Sequence, residues 1–207
     1  MSPIEAAIEN GLLVSFVEKV SPFEMQDLKM ICLSATFWLC FYVVVTFLPV
    51  PLKNKFGPLS KQDELDIQNR VVSTVHGTIL MLAAGYQFYF FPGQCGDTNS
   101  QYEKNLLYCS IGYFTYDFII MAYYGLLDRA MVLHHTVTAS GMSVVLIQGM
   151  TGNMVVGGMF IAEVSNPAMH VRVMLKLLGL RYSKAYESCE IAMILLYTFG
   201  RIILGSY

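Results

Sequence analysis

The sequence predicts an all-α integral membrane protein, a bundle of six transmembrane helices preceded by an amphipathic helix on the membrane surface. Three observations lead there. The 207 residues are 55% hydrophobic and only 14% charged, where a soluble domain carries about 25% charge. Five apolar stretches, Met30–Val50, Val71–Phe91, Asn105–Leu127, Ala130–Met150 and Asn153–Val171, each have the ~17–25 residues that cross a bilayer as a helix. Of the 13 basic and 15 acidic residues, only Asp117 and Glu163 fall inside them. A sixth stretch, around Glu190–Leu204, is interrupted by Glu190 and Arg201 and completes the count.

Each element has its own local signal. Ser2-Pro3-Ile4-Glu5 places a capping hydroxyl, a first-turn proline and a reciprocating glutamate at capping-box spacing. Ile4, Ile8 and Leu12 then recur opposite Glu5 and Glu9, so residues 1–20 read as an interfacial helix and residues 22–207 as the transmembrane domain. The same start signal returns at Ser21-Pro22-Phe23-Glu24 for the first span, which Pro49 and Pro51 end. Lys53–Arg70 is the one strongly charged segment and reads as a solvated connector with a helix start at Ser60-Lys61-Gln62-Asp63. Ser100 with Glu103 caps the third span, Asp128 the fourth and Ser183 the sixth; Met150–Asn153 is a tight turn into the fifth.

The composition excludes several classes. A net charge of −2 without a basic block does not suit a nucleic-acid binder, and no glycine-rich phosphate loop is present. Four of the five cysteines fall in candidate spans, so no disulfide framework is expected. Met1–Lys19 carries three acids and one late base, unlike a signal or transit peptide. Lys53, Lys55, Lys61, Arg70, Arg129, Arg172, Lys176, Arg181 and Lys184 fall on one side of a six-span topology, against Lys19, Lys29, Lys104 and Arg201 on the other. That asymmetry turns the N-terminus away from the cytosol, or from the matrix in a mitochondrial inner membrane.

Polar groups inside a bilayer cost roughly 2.5–3.5 kcal/mol per charge at a helix centre, so each calls for a reason. Span two carries Ser73 and His76 near its start. In span three, Tyr113, Asp117 and Tyr124 share one face. Span four carries the adjacent His134 and His135, whose side chains point about 100° apart. In span five, Glu163, Ser165, Asn166 and His170 lie around Pro167, which removes a backbone donor and predicts a kink. Span six adds Glu190, Tyr197 and Arg201 on one face.

Turned inward together, these stripes give a polar interior with three readings. They hold the helices together by hydrogen bonds, or a histidine acts as base or acyl acceptor with Asp117 or Glu163 fixing its tautomer, or they line a lipid or small-molecule pocket without chemistry. In the catalytic reading His134, His135 and Asp117 do the work, with Glu163 or Ser73 assisting. Adjacent His134 and His135 do not suit one metal ion, so no metal and no cofactor is expected.

Four segments in this order resemble the TLC domain family, which includes ceramide synthases. They are Asn69-Arg70-Val71-Val72-Ser73-Thr74-Val75-His76, Gly112-Tyr113-Phe114-Thr115-Tyr116-Asp117, His134-His135-Thr136-Val137-Thr138 and Glu163-Val164-Ser165-Asn166-Pro167, followed by Gly200-Arg201. The resemblance runs from about residue 30 to the end of the chain. It implies a TLC-type six-helix membrane domain with a lipid-facing cavity. In ceramide synthases the paired histidines, matched here by His134 and His135, are linked to acyl transfer from acyl-coenzyme A. Those enzymes carry downstream acidic residues in a His-Asp…Ser-Asp arrangement. Glu163-Val164-Ser165-Asn166-Pro167 is closer to the Glu-x-Ser-Thr-Pro pattern of the non-synthase branch, whose members are associated with phospholipid composition. The resemblance therefore implies binding or modification of acyl lipids in membrane lipid homeostasis. It also implies membrane lipids and acyl-coenzyme A as partners and residence in the endoplasmic reticulum or another endomembrane. The competing expectations are a histidine-dependent acyltransferase and a non-catalytic subunit of a larger membrane protein assembly.

Overall fold

The computed structural model describes residues 24–48, 53–54, 57–203 and 205. Its helices are α1 (Met25–Thr46), α2 (Lys61–Phe90), α3 (Gln101–Tyr123), α4 (Arg129–Gln148), α5 (Gly152–Glu163), α6 (Asn166–Leu177) and α7 (Lys184–Tyr197), the last continuing into a π-helical segment, Thr198–Ile203. Between α1 and α2, β1 (Lys53–Asn54) pairs antiparallel with β2 (Gly57–Pro58), Lys53 opposite Pro58. The expected interfacial helix at 1–20 lies outside the described residues, as do Ser21 and the prolines at 49 and 51.

Local chemistry sets most helix starts. Ser60 Oγ accepts from Asp63 N–H at 3.1 Å. Ser100 and Glu103 close a full capping box, Glu103 Oε2 accepting from Ser100 N–H at 2.7 Å. Asp128 accepts from Met131 N–H and Ser183 from Tyr186 N–H. The first span differs from expectation. Its N-cap is Glu24, whose N–H donates to Asp27 Oδ2 at 2.6 Å. The reason is tertiary: Asp27 is buried and also accepts from Tyr108 of α3, which fixes where α1 begins.

Two further readings change. Most of the charged connector is helical, because α2 begins at Lys61 and runs 30 residues, about 45 Å at 1.5 Å per residue. The fifth apolar stretch is not one helix. It breaks at Val164–Ser165 into α5 and α6, twelve residues each, and twelve residues reach only about 18 Å against a hydrocarbon core of about 30 Å. Pro167 falls in the first turn of α6, where its missing N–H would have had no helical partner. Among the described helices, α1 to α4 are long and apolar enough to cross a membrane.

Helix α3 is the most buried of these four. It packs on α1 and α4, while α2 carries α5 and α6 along its length and α6 carries α7. Trp38, Tyr42, Val72, Leu80, Leu107 and Tyr116 belong to the buried core between α1, α2 and α3. Asn99 fixes one end of the bundle. Its N–H donates to the Gly149 carbonyl at 2.8 Å, its Nδ2 to the Val145 carbonyl at 2.9 Å, and its Oδ1 accepts from Gly152 N–H at 2.7 Å. Thr151 N–H donates to the Asp97 carbonyl and holds Thr151 at a left-handed φ of 65°. These bonds gather the loop between α2 and α3, the end of α4 and the start of α5. The opposite end of the bundle holds the site.

Candidate functional site

Asp117, in the second half of α3, is the hub of that opposite end. It is 4% exposed. Its Oδ1 accepts from Asn69 Nδ2 of α2 at 2.6 Å, and its Oδ2 faces His135 Nε2 of α4 at 2.6 Å. Asn69 Oδ1 in turn accepts from Tyr116 OH at 2.8 Å. One carboxylate thus joins three helices. The second ring nitrogen of His135, Nδ1, lies 2.8 Å from the Met131 carbonyl. That carbonyl can only accept, so Nδ1 carries a proton and Nε2 shares one with Asp117. Both nitrogens of His135 are committed.

His134 is different. Rotated by about 100° from its neighbour, it is exposed to the cavity, meets the Phe114 ring edge-on at 5.6 Å, and makes no hydrogen bond among the described residues. The adjacent pair therefore divides into one locked ring and one open ring.

On the opposite wall His76 is 2% exposed and stacks face to face on Tyr113, with ring centroids 3.7 Å apart. Trp38 closes over it edge-on at 5.3 Å. Ser73 Oγ donates to the Asn69 carbonyl at 3.1 Å, so its hydroxyl proton is spent within α2. Arg70 pairs with Asp66 at 3.0 Å.

The break between α5 and α6 supplies the third wall. Glu163, the last residue of α5, is buried and accepts from Asn166 Nδ2 at 2.9 Å. It fits because residue 77 is glycine: a Cβ there would lie 2.8 Å from Glu163 Oε2. Ser165 is buried at the break, and His170 follows one turn into α6. Arg201, in the π-helical segment, donates from Nη2 to the Ala162 carbonyl at 3.0 Å and reaches Asn166 Oδ1 at 3.4 Å. A cation at a helix C-terminus satisfies carbonyls that the broken helix leaves open. Gly200 allows this approach, since a Cβ there would sit 3.0 Å from the Ile161 carbonyl oxygen.

These groups surround one cavity of about 550 Å³. The structure brings to it eleven of the positions singled out in the sequence, with Tyr197 beside them, but not Tyr124 or Glu190. His134, His135 and Asp117 stand on one side. Ser73, His76 and Tyr113 form another, and Glu163, Ser165, Asn166, His170 and Arg201 the third. Sequence reasoning passed over the function of Asn69, noted only inside a longer segment, although Asn69, Ser73 and His76 follow one another at helical spacing. It also passed over Met121, Met131, Met169 and Met193, which line the same space with flexible, polarizable side chains. Among the described residues no three His, Cys, Asp or Glu side chains gather in metal-binding proximity, and the cysteines are unpaired.

No solved structure matches the chain. The TLC domain family model matches residues 66–207, a span containing all eleven positions and the helices that carry them, and the chain therefore belongs to the TLC domain family.

Proposed function

We propose that this TLC domain membrane protein binds an acyl lipid in its histidine-rich cavity and serves membrane lipid homeostasis. The observation that carries the reading is the character of the cavity wall. Methionine and aromatic surface from Met121, Met169, Met193 and Phe114 meets a fixed polar array at Asp117, His135 and Glu163. Sites for amphiphiles combine such apolar lining with a few placed polar groups. Access is provided laterally: α4 packs on α3 and α7 on α6, while α4 and α7 border the cavity and share no extensive interface. The endoplasmic reticulum or a related endomembrane suits this role.

A second reading, acyl transfer through a histidine, is favoured by one feature. His134 has a ring open to the cavity beside His135, which Asp117 holds in place. Acyl-coenzyme A would then be the donor, His134 the group that contacts it, and His135 with Asp117 the positioning pair. A non-catalytic subunit of a larger assembly is the remaining alternative, and it requires no ligand.

Mass spectrometry of lipids retained by the purified full-length chain tests the first reading. A stoichiometric acyl lipid is expected, and its absence under mild extraction would count against a binding cavity. Cellular lipid profiles with His134→Ala decide the second. A changed acyl distribution with normal membrane insertion supports transfer, and an unchanged one removes it.

A further inference from the structure

Two histidine nitrogens in the cavity wall stand apart from the paired groups around them. His76 Nε2 and His170 Nδ1 are buried and make no hydrogen bond among the described residues. Burying a polar atom without a partner is unfavourable because its bond to water is lost and nothing replaces it. His76 has no freedom to turn its nitrogen elsewhere. Tyr113 stacks on one face at 3.7 Å, and Trp38 and Phe114 meet the ring edge-on at 5.3 and 6.3 Å. His170 approaches from α6, which packs on α2, the helix that carries His76. Both residues line the cavity.

The charged side chains at the same cavity, by contrast, each have a hydrogen-bonding or ionic partner. Arg70 has Asp66 at 3.0 Å and Asp117 has His135 at 2.6 Å. Glu163 has Asn166 at 2.9 Å, and Arg201 caps the Ala162 carbonyl at 3.0 Å. A neutral imidazole offers one N–H and one bare nitrogen, and a hydroxyl both donates and accepts, so it can serve either ring in either tautomer. A carboxylate only accepts and an ammonium only donates.

We propose that His76 Nε2 and His170 Nδ1 form a hydrogen-bonding subsite for the uncharged, hydroxyl-bearing head of a single-chain lipid, of the monoacylglycerol or long-chain alcohol class. This deepens, and rests on, the reading of the cavity as an acyl-lipid site. A volume of about 550 Å³ lies within the ordinary range for small-ligand pockets, about 300–1,000 Å³. It accommodates the head and the first part of one chain, the remainder leaving between α4 and α7 toward the bilayer.

The test uses the full chain in detergent and a displacement assay with five probes of matched chain: 1-oleoylglycerol, oleyl alcohol, oleate, oleylamine and 1-octadecene. The two hydroxyl probes should bind about tenfold more tightly than oleate or oleylamine, the effect of one well-made buried hydrogen bond. His76→Phe, which keeps a ring against Tyr113, and His170→Phe should each remove that advantage and leave 1-octadecene unaffected. Equal affinity across all heads in the wild type would overturn the subsite. So would hydroxyl selectivity that survives both substitutions, which would assign the two nitrogens to water. If no probe binds, 1-octadecene included, the lipid-cavity reading itself fails. Should His76→Phe not fold, the wild-type probe series and His170→Phe still decide.

Discussion

The two ends of this bundle bury acidic residues in opposite ways. At the Asn99 end, Asp27 and Glu103 each sit at a helix start. Each accepts the N-cap N–H and one neutral side chain, Tyr108 for Asp27 and Gln87 for Glu103. The partners are close along the chain or on adjoining helices, and the loops between them are pinned by backbone bonds. At the cavity end, Asp117 lies within a helix and Glu163 at a helix break, and they depend on side chains brought from other helices or across that break. The first arrangement holds helices together and leaves a small polar recess beside Asp27. The second surrounds a large cavity whose walls leave His76 Nε2 and His170 Nδ1 over, while at the first end Gln87 Oε1, beside Glu103, has no partner. Two buried acids are thus not one kind of evidence: what separates architecture from a site is whether a large cavity opens beside the acid.

The comparison breaks most readily at Asp117. Asp117→Ala leaves His135 and Asn69 without their shared partner, and removing one member of a buried pair costs about 3–5 kcal/mol. Denaturant unfolding in detergent should show a loss of that size. A loss smaller than that of a substitution at the Asn99 end would mean that the cavity end does not depend on its hub.

Gly77→Ala probes the third wall. The added Cβ would lie 2.8 Å from Glu163 Oε2, and overpacking a tight contact costs about 1–3 kcal/mol. The cost should largely vanish when Gly77→Ala is introduced into Glu163→Ala, because the clash partner is gone. A cost that persists in the double variant would place the strain in the α2 backbone instead.

Asn99→Ala sharpens the contrast from the other end. It strips the Val145 carbonyl and Gly152 N–H of their side-chain partner, a loss of about 1–2 kcal/mol for part-buried bonds. Retained lipid should be unchanged by mass spectrometry. A fall in lipid occupancy equal to that of Asp117→Ala would couple the two ends and dissolve the distinction.

How much of this was legible in the sequence depends on the reach of each cause. The caps at Ser60, Ser100, Asp128 and Ser183 were readable because the accepting oxygen and the donating N–H lie three residues apart. The start of α1 was not, because Asp27 answers to Tyr108, 81 residues away. The polar stripes were readable from helical spacing, and most of their members line one cavity, Tyr124 and Glu190 excepted. The division between His134 and His135 was only half readable. Adjacent positions must diverge, but which ring meets Asp117 depends on the register of α4 against α3. Pro167 signalled a disturbance in the fifth stretch, while its placement at Val164–Ser165 goes with Glu163 settling against Gly77 and Arg201 taking the Ala162 carbonyl.

The smallest effect belongs to Arg172, and it separates slack from mere openness at the cavity end. Arg172 Nη2 donates to Glu190 Oε1 at 2.7 Å and its guanidinium lies 5.1 Å from the Tyr186 ring centroid, tying α6 to α7. The pair is part-exposed, so Arg172→Gln should cost only about 0.2–1 kcal/mol. Helix α7 nevertheless forms the outer wall beside α4, and it has no extensive interface there to hold it. Hydrogen exchange should therefore quicken along 184–197 while the segments 97–101 and 149–153, held by Asn99, keep their protection. Faster exchange at both ends would mean that the bundle loosens as a whole. No change at either would mean that α7 is fixed by its packing on α6 alone, and that a lipid entering beside α4 meets a rigid wall.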